Sequence, residues 1–105
     1  MRFVETPMFT AEITALLTDE EYRALQIALA LRPEQGVLIR ASGGLRKVRW
    51  GAGGRGKRGG IRVVYYWEQA EDLCYMLFAY PKSAQEDLTP AQLRLLRQVV
   101  KEEFG

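Results

Sequence analysis

Apolar positions change their spacing along this chain, and each change marks an element. Phe3-Val4-Glu5 reads as a short opening strand. Thr6-Pro7 has the form of a helix N-cap followed by proline in the first turn, where no backbone N–H is needed. Phe9, Ile13, Leu16 and Leu17 then recur at helical spacing and predict a short first helix. Thr18-Asp19-Glu20-Glu21 matches a capping box: the threonine oxygen accepts from an early N–H and Glu21 reaches back. The second helix should run to Leu31 with Tyr22, Leu25, Ala28 and Leu29 inward. Arg32-Pro33 ends it, because a residue before proline is driven out of the helical region.

The period then shortens from helical to extended. Val37-Leu38-Ile39 predicts a strand, Ser42-Gly43-Gly44 a turn, and Leu45 to Trp50 another strand. Gly51 to Gly60 holds six glycines among ten residues, which suits a loop and not an element interior. Ile61-Arg62-Val63-Val64-Tyr65-Tyr66-Trp67 is the strongest strand signal, and a polar turn leads from it into Leu73 to Tyr80. Thr89-Pro90-Ala91-Gln92 repeats the capping logic ahead of a final helix with Leu93, Leu96, Val100 and Phe104 on one side. The order β-α-α-β-β-β-β-α contains successive hairpins. It predicts an α+β fold: a mainly antiparallel sheet, an N-terminal helical hairpin covering one face, and a C-terminal helix. With 105 residues and 48% hydrophobic content, residues 1–105 suit one domain with one core.

The net charge of +2 says little about partners, but its distribution says more. No Asp or Glu occurs between Glu34 and Glu68, an interval that holds Arg40, Arg46, Lys47, Arg49, Arg55, Lys57, Arg58 and Arg62. So lopsided a field favours a polyanion. Cys74 is the only cysteine, which excludes an internal disulfide and fits a reducing compartment; between Leu73 and Tyr75 it reads as a buried strand position. The chain has no histidine, so neither an activated thiol nor a transition-metal site is expected, and no cofactor is called for. The opening Met1-Arg2-Phe3-Val4-Glu5 lacks the apolar run of a signal peptide, and no segment is long enough to span a membrane. A cytoplasmic location is the expectation.

Side chains alternate across a strand. Lys47 and Arg49 therefore share one face, opposite Val48 and Trp50. On the next strand Arg62, Val64 and Tyr66 share a face, opposite Ile61, Val63, Tyr65 and Trp67. If the more apolar sets meet the helices, Lys47, Arg49 and Arg62 converge on an open face. Like charges paired across strands are unfavourable by ~0.2–1 kcal/mol each, so an anion such as phosphate is expected to complete the site. The loop Gly51-Ala52-Gly53-Gly54-Arg55-Gly56-Lys57-Arg58 matches a P-loop up to Lys57. Arg58 replaces the metal-binding hydroxyl and a strand follows in place of a helix, which argues against triphosphate hydrolysis. Two readings stay open for the loop: a basic grip on a nucleic-acid backbone, or a hairpin tip without a partner. Tyr80-Pro81-Lys82 ends the last strand. Tyr80 could stack on a base or close the core, and Lys82 could contact phosphate. Trp50, Trp67, Tyr65 and Phe78 are assigned to packing.

These segments resemble the HigB branch of the RelE toxin superfamily. The resemblance rests on Gly43-Gly44-Leu45-Arg46-Lys47-Val48-Arg49, on Gly56-Lys57-Arg58-Gly59-Gly60 with Arg62 two positions on, on Tyr65-Tyr66, on Tyr80-Pro81-Lys82 and on Asp87-Leu88-Thr89-Pro90-Ala91-Gln92. It covers nearly the whole chain. It implies a microbial RNase fold that cleaves mRNA, typically in the ribosomal A site, and is neutralised by a cognate antitoxin, expected to be a helix-turn-helix protein. By resemblance Lys47 and Arg49 are the paired basic positions of the catalytic strand, Arg62 stabilises phosphate, and Lys82 is the last basic position. Arg46, Arg55, Lys57, Arg58, Tyr66 and Tyr80 are the expected RNA or ribosome contacts on the reading of the residues themselves. Two departures stand out: Leu88 lies near where the family often carries a tyrosine, and Pro81 replaces the usual glycine. Chemically, with no histidine a lysine must serve if a general base is used. Flanking Arg46 and Arg49 make a neutral Lys47 amine more accessible, while guanidinium groups only stabilise charge. Such a set should cut free RNA slowly, and a ribosome that positions the substrate would make up part of the deficit. The alternatives are a gyrase-inhibiting toxin of the ParE type, which generally lacks this basic set, and a non-catalytic RNA-binding module.

Overall fold

The computed structural model describes residues 1–51 and 60–105. Strand β1 (Arg2–Glu5) leads into helices α1 (Pro7–Leu16) and α2 (Asp19–Leu31). A single 3-10 turn at Pro33–Gln35 then precedes β2 (Val37–Leu38), β3 (Arg46–Trp50), β4 (Ile61–Glu68), β5 (Leu73–Pro81) and helix α3 (Pro90–Phe104). The sheet order is β1-β5-β4-β3-β2. All pairings are antiparallel except β1 with β5, which is parallel. The fold is α+β, as the element order predicts.

The helix boundaries follow the capping residues. The Thr6 side chain accepts from Phe9 N. Thr18 with Glu21 and Thr89 with Gln92 form reciprocal capping boxes. Inward positions of α1 and α2, among them Phe9, Ile13, Leu25 and Leu29, pack on Val48, Ile61, Val63, Tyr65, Cys74 and Met76, with Trp50 and Trp67 at the margin. This is the helical hairpin on one sheet face.

The other face is not open. Leu45, Val64, Leu77 and Tyr80 form a second apolar cluster beneath Leu96 and Val100 of α3. The stripe Leu93, Leu96, Val100 and Phe104 must be covered, and this face of β4 and β5 covers it. Strand β4 is consequently buried from Ile61 through Tyr65, Arg62 included.

A bulge tunes the second face. Val64 pairs with Phe78 but Tyr65 with Met76, so Leu77 is the extra residue. Both Leu77 and Phe78 then join the α3 side. The Leu77 carbonyl accepts from Thr6 Oγ1 at 2.9 Å, while Thr6 N donates to Met76 O at 3.0 Å. One threonine thus caps α1 and ties it to the bulge. On the far side of the sheet, Tyr65 Oη accepts from Gly36 N at 2.9 Å and donates to Pro33 O at 2.6 Å. A Cβ on Gly36 would lie 2.8 Å from the Tyr65 ring, so only glycine fits there.

Thr6→Ala should remove the cap and leave a buried carbonyl without its hydroxyl donor. We expect a loss of about 2 kcal/mol in urea unfolding, with unchanged dependence on denaturant concentration.

Candidate active site

The register of the three central strands builds the site. Arg49 pairs with Arg62 and Arg62 with Tyr80, so these three lie in one row across β3, β4 and β5. One step along, Lys47 pairs with Val64 on the same face. Lys47, Arg49 and Arg62 are therefore neighbours, as strand alternation predicts.

Their surroundings differ from the expected open platform. Arg62 is 2% exposed, and its Nη1 donates to Ile61 O at 3.2 Å. Lys47 is mostly covered and its Nζ lies 2.6 Å from Asp87 Oδ1. Arg49 is exposed. The cause is the connection from β5 to α3. It leaves β5 with Lys82 N donating to Gly60 O at 3.1 Å, passes Tyr80, whose hydroxyl donates to Glu86 O at 3.3 Å, and reaches β3 at Asp87. This strap crosses the face and brings an acid from 40 residues away to Lys47. The like-charge surroundings expected for Lys47 are thus answered by a carboxylate from within the chain, and Asp87 is a site residue that charge counting along the sequence missed. Its hydrogen bond and charge interaction with Lys47 hold the Asp87 carboxyl below the usual carboxylate range. Asp87 is 74% exposed, so water reaches the pair from the carboxylate side.

The other expected contacts separate. Tyr80 is buried, so the fold uses its ring to close the second core, and no face is left free for base stacking. Burial, with Asp87 adding and Arg62 opposing, pushes its hydroxyl up to about 12. Tyr66 is half-buried against Phe104, ring centroids 5.3 Å apart. Arg46 is engaged elsewhere: its Nη1 donates to Glu34 O at 2.9 Å and Gly36 O at 2.8 Å, holding the turn before β2. Lys82 stands half-buried where β5 gives way to the strap. Arg55, Lys57 and Arg58 lie outside the described residues. Cys74 is buried as expected, and burial pushes its thiol up to about 12, far from a thiolate nucleophile. Among the described residues no cluster of three His, Cys, Asp or Glu gathers to hold a metal.

The family model described as the RelE toxin of the RelE / RelB toxin-antitoxin system matches residues 12–105. The chain belongs to the RelE toxin family. The matched span runs from within α1 to the end of α3 and contains every site residue named above. This RelE toxin is accordingly the toxin half of a toxin–antitoxin pair, a family whose members are generally endoribonucleases, and an antitoxin is its partner. Among the described residues no helix is long and apolar enough to cross a membrane.

Burial also sets an alkaline limit. Tyr65 and Tyr80 are raised from 10.0 to about 12, and Cys74 from 9.0 to about 12. The unfolded chain releases these protons first, so their stabilisation is intact below the unfolded values and is lost as pH rises towards 12. Urea midpoints of this RelE toxin should fall with pH across that window. Tyr80→Phe should make the fall shallower, and an unchanged slope would contradict the burial described.

Proposed function

We propose that this RelE toxin is a cytoplasmic, HigB-like endoribonuclease that cuts mRNA in the ribosomal A site and is held in check by a helix-turn-helix antitoxin. The supporting observation is the row Arg49–Arg62–Tyr80 with Lys47 beside it on one sheet face. In this reading the RNA 2′-oxygen bonds to phosphorus while the bond to the 5′-oxygen breaks, leaving a cyclic phosphate. The 2′ proton leaves to a base and the 5′-oxygen gains one. Lys47 and Lys82 are the groups of the set that can exchange those protons. Arg49, from the exposed side, and Arg62, from beneath, stabilise the extra charge on phosphorus. The Asp87 carboxylate marks where a phosphate oxygen would sit, and substrate takes its place. Arg55, Lys57 and Arg58 would add backbone contacts from the loop.

The Lys47–Asp87 pair and the burial of Arg62 favour one competing reading, in which the face docks on RNA without cutting it. Variants at the less buried positions separate the two. Lys47→Ala and Arg49→Ala should each lower cleavage, followed by primer extension on translated mRNA, by ~10²–10³-fold. Thermal midpoints should stay close to the parent's and ribosome affinity should change little. Intact message with the parent protein, together with a proportional loss of binding in the variants, would favour docking alone.

A further inference from the structure

The C-terminal helix carries a second set of cations that the site above does not use. Arg94, Arg97 and Lys101 follow i, i+3, i+7 spacing, which places them on one face of α3 beside its apolar stripe. Seven residues of helix rise extend this row over roughly 10 Å. The three line an open groove of about 720 Å³ together with the Ser42-Gly43 turn, Tyr66 and Phe104.

Three observations make this groove fit a strand of phosphodiesters. First, the four ion pairs among the described residues, at Met1, Arg2, Arg32 and Lys47, involve none of the three cations. Residues 52–59 contain no acid that could supply another. The neighbouring carboxylate of Glu102 accepts from Gln98 at 3.1 Å. Second, the Ser42-Gly43 turn in the lining presents backbone with little side chain over it. Gly43 has φ of +73° and open space where a Cβ would stand, so a ligand can approach its peptide directly. Third, α3 contributes to a second groove that holds a site residue: Arg40 and Lys47 line it together with Asp87 and Leu93, and Leu93 is the residue before Arg94.

We infer that the face of α3 bearing Arg94, Arg97 and Lys101 is a binding track for single-stranded RNA. The choice of RNA as occupant rests on the nuclease reading. The track would hold substrate outside the cleaved bond, and Tyr66 lines it.

The triple variant Arg94→Gln, Arg97→Gln, Lys101→Gln removes the charge with little change in helix propensity. Its affinity for a fluorescent oligouridylate, read by anisotropy against salt, should fall ~10–100-fold, and the salt slope should lose about 2. The parent should gain affinity as the oligomer lengthens, and the variant should gain much less. Unchanged thermal midpoints and near-parental cleavage at saturating RNA would complete the support. Wild-type affinity and slope in the triple variant would overturn the track while leaving the nuclease reading intact. Lost RNA binding with no cleavage by the parent would uphold the track and remove the nuclease reading. Unchanged RNA binding with lost capture of a polyglutamate peptide would overturn the track in favour of an acidic protein segment.

Discussion

Strand β4 lies between two apolar layers, and most of the architecture follows from that placement. Its odd positions, Ile61, Val63 and Tyr65, meet α1 and α2, while Val64 meets α3. Burial on both faces makes it the anchor for pairing on either side, with β3 and with β5. It also draws Arg62 out of water. A buried cation is tolerated only with polar company, and a guanidinium held this way is a fixed element of the protein's field.

The charge distribution has a three-dimensional counterpart that differs from its linear one. Along the chain, acids occupy the ends and bases the middle. In the fold, the strap after β5 carries Asp87 back over the sheet and places it on Lys47. The central face therefore gathers Lys47, Arg49 and Arg62 around the carboxylate of Asp87, and Arg49 is the exposed cation of the three. The bulge at Leu77 contributes, since it turns Leu77 and Phe78 together towards α3 and so shapes the floor under the strap. Thr6 fastens that bulge to the opposite layer.

Much of this RelE toxin could be read from residues alone where the signal is local. Thr6, Thr18 and Thr89 marked the helix starts because a capping oxygen acts within three residues. Alternation placed Lys47, Arg49 and Arg62 on one face because the strand period is two. It could not show that α3 would cover the same face, because Val64 and Tyr66 look no different in sequence whether exposed or packed. Nor could it assign Tyr80 to the core or Arg46 to the carbonyls of Glu34 and Gly36, contacts made across 10 residues or more. The cations of α3 were legible as a spacing, but they were overshadowed by the acid-free run in the middle of the chain.

What the sequence determined by itself was the set of elements, their order and the side of each strand on which a residue stands. Those properties depend on backbone preferences and on periods of two and 3.6 residues. Tertiary structure alone decided how deeply each cation sits and which carboxylate answers it. Burial and ion pairing depend on distances between segments far apart in the chain, and no local pattern records them.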